Sequence, residues 1–269
     1  MTGQLRDLER VERRALTALR CIDATTRAPI DDPLIVSAPG ARLVRNRTGL
    51  YVVRSWTRLA THETAFDQPP AAPPIGSESL TLDVRDPSGR YLSRRVTVAL
   101  PRDPSPARAG QADSLFRPVD VEMFPGASAP VSANWVELRV SVRETASGDA
   151  LGGALIRVVA EARVLARGLT DWRGEAFVPV AGVPVTTWSA DPAAVIVTEI
   201  PATLECYFDA AAGTRTPAPS VRAGLAPAQT PLPDPQALET ARAGLPQSMT
   251  PVVLAAGRSL AVAVAIALP

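Results

Sequence analysis

Lysine does not occur in this chain of 269 residues, so all 28 basic side chains are arginine. That excludes a Schiff-base amine and the lysine of a phosphate-binding loop; together with the Ala and Pro richness, a GC-rich coding bias explains it better than a selected need for guanidinium groups. Histidine occurs once, as His62 in "ATHETAF". It would have to serve alone in any Ser/His/Asp or Cys/His arrangement, and its polar stretch before a proline cluster reads as non-catalytic. Cysteine occurs twice, as Cys21 and Cys206, with no CxxC pair and no histidine at zinc spacing. Such a pair suits buried thiols in a reducing compartment or one long-range disulfide. Charge of one sign is also lacking: the formal net charge is +1, so no global field draws the chain to nucleic acid or to an anionic bilayer. The most apolar stretch, "SLAVAVAIALP" at 259–269, is too short to span a membrane. The N-terminal "MTGQLRDLERVERRALTAL" is charged where a secretion signal is apolar. The expected location is the cytoplasm, or outside the cell only as part of an assembled particle. The acidic residues Asp31, Asp32 and Glu161 read as solvated turn positions. No catalytic, cofactor-binding or metal-binding residue is expected, and the chain is not expected to be an enzyme.

What is present is hydrophobic residue at 46% and 27 prolines, enough for real cores separated by stiff breaks. Residues 3–16 place Leu5, Leu8 and Val11 on one face of an expected amphipathic helix, domain 1–16, whose apolar face is a candidate protein interface. Short strand-like runs follow over 17–101, a Pro-rich linker over 102–131, a second strand-rich block over 132–210, a Pro/Ala-rich extended linker over 211–249, and a C-terminal strand within 250–269. In that last strand Leu260, Val262, Val264 and Ile266 alternate with alanine, a second candidate interface. It can complete its own second domain or pair with a neighbour.

The two blocks read as copies. "LRCIDATTRAPIDDPLIV" then "ARLVRNRTGLYVV" parallels "LRVSVRETASGDALGGALIRV" then "RVLARGLTDWRGEAFVPV". Leu19 and Arg20 are matched to Leu138 and Arg139, Leu34 to Leu155 and Gly49 to Gly174, with an offset growing from 119 to 125. Within the second copy, Asp171 and Gly174 have the chemistry of a tight turn, since the aspartate accepts backbone N–H bonds and glycine takes positive φ. Asp86 and Gly89 in "VRDPSGRYL" make a second such turn. Gly126 in "FPGAS" reads as a permissive loop glycine. Of the four tryptophans, Trp135 is expected in a core and Trp172 on a turn, for protein contact or a ligand platform.

The "ATTRAPI" and "TASGDAL" turns, followed by a glycine turn closing on an alternating strand, resemble the carboxypeptidase-regulatory-like, or transthyretin-like, β-sandwich repeat over about 17–60 and 133–185. With "DVRDPSGRYL" between the copies and "LAAGRSLAVAVAIALP" at the end, the chain also resembles proteins encoded beside phage-tail-like contractile injection particles. The resemblance implies an all-β fold of two tandem Ig-like or transthyretin-like sandwiches. It further implies a non-catalytic structural or adaptor subunit that self-associates or binds tube, sheath, cap or baseplate subunits. No cofactor, nucleic acid or membrane insertion is expected. The alternative is a β-sandwich module that binds glycan or a cell surface.

Overall fold

Alternating hydrophobicity becomes strands along most of the chain in the computed structural model, which describes residues 15–64, 70–184, 187–188, 195–196 and 199–269. Leu5, Leu8 and Val11 lie outside the described residues; Ala15 and Leu16, at the end of the expected helix, are not helical. Strand makes up 44% of the structure and helix 10%, in several sheets, and among the described residues none closes into a barrel. The fold is all-β.

The strands are β1 Thr17–Asp23, β2 Ile35–Ser37, β3 Ala41–Arg45, β4 Tyr51–Trp56, β5 Glu78–Arg85, β6 Arg94–Leu100 and β7 Val119–Met123. Then come β8 Val136–Glu144, β9 Ala150–Gly152, β10 Leu155–Ala160, β11 Arg163–Leu169, β12 Glu175–Val180, β13 Thr187–Trp188 and β14 Val195–Ile196. The last are β15 Ile200–Tyr207, β16 Thr214–Thr216, β17 Gln247–Leu254 and β18 Ser259–Ile266. Short helices α1 Ala60–Thr64, α2 Ala218–Arg222 and α3 Pro235–Ala241 lie between them. Two compact units form, but not in sequence order: one holds the described residues up to 20, 37–81 and 97–120, the other 21–36, 82–96 and 121–269. The expected sequential boundaries are corrected accordingly. The 102–131 linker contains β7, and the 211–249 linker is built structure containing β16, α2 and α3 and the start of β17.

In the first unit β1 pairs with β4 and β4 with β3, all antiparallel. Leu19, Tyr51, Val53 and Trp56 from these strands are buried with Leu59, Leu80, Val98 and Leu100. In the second unit two sheets face one core. One has the order β12-β8-β9-β16 with β18 on the other side of β8; the other runs β11-β10-β15-β17. Every second residue of β8, Val136, Leu138, Val140 and Val142, points into that core, where it meets Ile156, Val158, Leu204 and Cys206 from the facing sheet. Burial of these side chains contributes about 1.5 to 3 kcal/mol each.

Arg94 is fully buried in this unit. It donates to the Glu122 carbonyl at 2.7 Å, to the Arg95 carbonyl at 3.1 Å and to Gln236 Oε1. Burial lowers its pKa to about 10, against the opposing charge of Asp234, 3.8 Å away. Asp234 also caps α3, accepting from the N–H groups of Gln236 and Ala237. The buried guanidinium thus ties α3 to the sheets.

The two stretches that read as copies carry matching turn hydrogen bonds. Asp23 donates its N–H to the Ala28 carbonyl and receives that of Arg27; Glu144 and Asp149 with Gly148 repeat the scheme, with φ +65 at Arg27 and +74 at Gly148. Asn46 N–H donates to Leu50 and Gly49 N–H to Asn46, as Asp171 N–H does to Glu175 and Gly174 N–H to Asp171. The bridge Ile22 to Pro29 recurs as Arg143 to Ala150, an offset of 121. Leu19 opposite Tyr51 recurs as Val140 opposite Ala176. The structural counterpart of Leu19 is therefore Val140, not the expected Leu138. A slip of two residues keeps every side chain on its face, so the hydrophobic pattern could not detect it. The matches Leu34 to Leu155 and Gly49 to Gly174 keep offsets of 121 and 125.

Candidate functional site

A groove of about 270 Å³ opens on the second unit. One wall is the Asp23 turn, where Asp23 Oδ1 accepts the N–H groups of Thr25 at 2.8 Å and Thr26 at 2.7 Å. Pro125, residues 129–132 and Trp135 line it as well, together with Tyr91. Asp86 positions that tyrosine: its Oδ1 accepts from Ser88 N at 2.8 Å and its Oδ2 from Tyr91 N at 2.9 Å. Burial opposes ionisation of Asp86, but the hydrogen bonds from the side chain of Ser88 and from the backbone of Ser88, Tyr91 and Arg90 outweigh it and lower its pKa. Gly89 closes the turn at φ +72. The Tyr91 hydroxyl donates to Asp23 Oδ2 at 2.9 Å. Burial, then this hydrogen bond and the charge of Asp23, push the phenol up to about 12. At neutral pH Tyr91 is a fixed, uncharged group; with half-buried Trp135 and Pro29, Pro125 and Pro130 it offers flat apolar surface beside hydroxyls. Such a wall fits neutral polar ligands or extended peptide, not proton transfer.

A second hollow of about 260 Å³ lies between Pro125–Ala127 and the strands β8 and β12. The Arg139 guanidinium stands 5.2 Å from the centre of the Phe177 ring. Asp171 reaches its wall, accepting from Arg173 N and Glu175 N through Oδ1, at 2.8 and 3.0 Å, and from Arg173 Nε through Oδ2 at 2.9 Å. The carboxylate's hydrogen bond and charge raise the Arg173 pKa. Gly174 completes the turn at φ +73, where a Cβ would lie 2.4 Å from the Val142 carbonyl oxygen. Trp172 is half-buried and lines a third hollow with Arg85 and Thr214, its ring 6.0 Å from the Arg173 guanidinium.

Of the predicted turn residues, Asp171 lines the second and third hollows, while Asp86 lines none of them and acts through the backbone of Tyr91, which lines the first; other predicted residues lie elsewhere. Val264 and Ile266 are buried in the chain's own core, with Leu260 and Val262 packed against it. Of the two alternatives for the C-terminal strand the chain takes self-completion, since β18 pairs in parallel with β8 in its own sheet; burial there corrects the expectation of an exposed interface at Val264 and Ile266, while Leu260 and Val262 stay half-exposed. Trp135 lines a groove instead of a core, because it precedes β8. Gly126 is not permissive, since a Cβ there would sit 2.8 Å from the Gly89 carbonyl oxygen. His62 is buried on α1 instead of lying in a polar loop. Cys21 and Cys206 are both buried and not joined to each other. Among the described residues no three His, Cys, Asp or Glu side chains are grouped to hold a metal ion. Tyr91 and Trp135 are far apart in sequence, and the one local signal for their pairing is a tyrosine two residues after the Asp-Pro-Ser-Gly turn.

No family model matches the chain, and no curated protein does. A solved structure similar to it is the Bacillus anthracis TIE protein, at 8% identity over 94% of this chain and 34% of that chain, with a TM-score of 0.24. The chain spans about a third of that structure's length, and a likeness this loose carries no argument. Among the described residues no helix is long and apolar enough to cross a membrane.

Proposed function

We propose that the chain is a non-catalytic structural or adaptor subunit of a large protein assembly, organised as two tandem transthyretin-like repeats. The resemblance noted above points to a phage-tail-like contractile injection particle, with the chain in the cytoplasm or carried out within the particle. The observation that carries the reading is an apolar stripe on the outer face of β17. Met249 is 58% and Val253 48% exposed, with Pro251 between them and Pro201 of β15 opposite Val253. Apolar side chains aligned on one open sheet face mark a protein contact. In an extract of the native cell, the chain is expected to sediment with a large particle, and the double variant Met249→Glu, Val253→Glu to be released with its melting transition intact. A native chain that sediments alone at its own 28.3 kDa overturns the reading.

The second reading, a glycan- or surface-binding module, is favoured by the Tyr91 and Trp135 groove. Titration with neutral oligosaccharides decides between them. The subunit reading expects no saturable change in tryptophan fluorescence; a saturable change lost in Trp135→Ala favours the glycan module.

A further inference from the structure

Open sheet edges attract other strands unless something blocks them. In the second unit, β11 carries Arg163 and Arg167, and its pairing with β10 shifts register between Val158 and Val159. β16 is only three residues long. β12 carries Pro179 and β17 carries Pro251. Hydrogen-bond alternation, set by Val142 N donating to the Gly174 carbonyl at 2.7 Å and Phe208 N to the Pro246 carbonyl at 3.0 Å, turns both proline nitrogens toward the open side. These edges are guarded. β18, Ser259–Ile266, has no charge, no proline and no bulge, and among the described residues its pairing is with β8 alone.

The backbone of β18 is aimed outward at defined positions. Glu137 N donates to the Arg258 carbonyl and Thr145 N to the Ile266 carbonyl, both at 2.9 Å. Even-numbered residues therefore bond β8, and the N–H and C=O groups of Ala261, Ala263 and Ala265 face the open edge. Those three alanines are exposed, whereas Leu260 and Val262 are half-buried and Val264 and Ile266 buried on the core side. The segment is also self-complementary. Read in either direction from Ala263, it gives alanine against alanine at 261 and 265, valine against valine at 262 and 264, and leucine against isoleucine at 260 and 266.

We propose that β18 is a dimerisation edge, and that its occupant is the β18 strand of a second copy of this chain, antiparallel about a two-fold axis through Ala263. In that register Ala263 faces its symmetry mate and Ala261 faces Ala265, each pair exchanging both of its outward-facing hydrogen bonds. Leu260 then meets Ile266, and Val262 meets Val264, over the core face, where the half-exposed Leu260 and Val262 gain cover. Nothing charged on the edge selects a different strand, and the pairing repeats its own sequence.

This deepens the subunit reading and rests on it, and its test separates the two. The full chain is expected to give twice its monomer mass by light scattering at about 100 µM, dissociating near 1 µM, as suits a small interface. Ala263→Pro removes only an outward-facing N–H and is expected to give a monomer with an unchanged melting transition. Ala263→Cys is expected to form an intermolecular disulfide rapidly under mild oxidation, because the axis places the two side chains opposite each other; Ala255→Cys, buried off the axis, is not. If Ala263→Pro does not fold, the disulfide result decides. A chain that stays monomeric at every concentration, or a dimer that persists in Ala263→Pro while Ala263→Cys fails to cross-link, overturns the proposal. Release from the native particle on Met249→Glu, Val253→Glu reports on the subunit reading independently.

Discussion

Two turns in this chain have the same hydrogen bonds and different surroundings. Asn46 Oδ1 accepts from Thr48 N at 3.0 Å and Leu50 N at 2.9 Å; Asp171 Oδ1 accepts from the residues at the same spacings. Gly49 and Gly174 take φ of +80 and +73. After the first turn the strands stay together, with β3 paired to β4. After the second they part: β11 pairs β10 in one sheet while β12 pairs β8 in the other. One turn closes a hairpin and the other carries the chain between layers. The difference shows at the glycines. A Cβ on Gly49 would meet nothing nearer than Arg45 Nη2 at 3.6 Å, the end of a flexible side chain, whereas on Gly174 it would strike backbone at 2.4 Å. The local hydrogen-bond scheme is set by the turn sequence, and the tolerance to change is set by what the strands do next.

The largest expected effect tests that contrast with a single methyl group. Both Gly174→Ala and Gly49→Ala incur the left-handed backbone cost, about 1 kcal/mol. Gly174→Ala must also move the Val142 carbonyl, for a total of about 3 to 4 kcal/mol. Thermal unfolding of the full chain should show a drop of about 10 °C for Gly174→Ala and a few degrees for Gly49→Ala. Gly126→Ala, with a close backbone oxygen but no positive φ, should fall between them at about 1 to 2 kcal/mol. Equal effects at Gly49 and Gly174 would mean that packing around the turns does not distinguish the copies.

A smaller effect is expected at the accepting side chains. Asn46→Ala and Asp171→Ala each leave two backbone N–H groups without their acceptor, about 1 kcal/mol apiece by analogy with helix caps. Asp171→Ala also releases Arg173, whose side chain is 39% exposed, so that pair adds less than about 1 kcal/mol. Asp171→Asn should recover most of the loss, because the amide oxygen accepts the same bonds. Denaturant midpoints at constant m-value measure the series. A failed rescue by Asp171→Asn would give the ion pair with Arg173, not the turn, the larger share.

Much of this was legible in the sequence, for reasons that differ by region. The alternation of Val136, Leu138, Val140 and Val142 announces a one-sided strand, and the Asp-x-x-Gly spacing announces a turn. The matching turns are visible too, but the shared Leu-Arg dipeptides at 19 and 138 suggest a register two residues away from that of the hydrogen bonds. Helix α3 hid inside a Pro- and Ala-rich stretch read as linker, although Asp234 followed by Pro235 is a helix start. β17 hid because Pro251 argues against a central strand, and it sits at an edge where proline is allowed. The Tyr91 and Trp135 groove was not legible, since its walls come from segments far apart in the chain.

The most local probe of the second unit is the thiol of Cys206, whose effect appears only at alkaline pH. It lies in β15 at the core between the two sheets, fully buried. Burial, and then the charge of Glu205, push its pKa up to about 12 from an ordinary 9.0. The folded chain holds this proton between pH 9 and 12, where the unfolded chain has lost it. Its contribution to stability is therefore fully present below pH 9 and is lost as pH rises toward 12. Stability of the native chain should fall as pH rises from about 9 toward 12, and Cys206→Ala should flatten part of that decline. At pH 8 the shift alone should slow alkylation of Cys206 by about a thousandfold relative to an ordinary thiol. If the Asp171 turn holds the two layers together, Gly174→Ala should speed that labelling through opening of the second core, while Gly49→Ala leaves it unchanged. Rapid labelling of Cys206 in the native chain at pH 8 would contradict its place in the core, and acceleration by both glycine variants alike would erase the distinction between the turns.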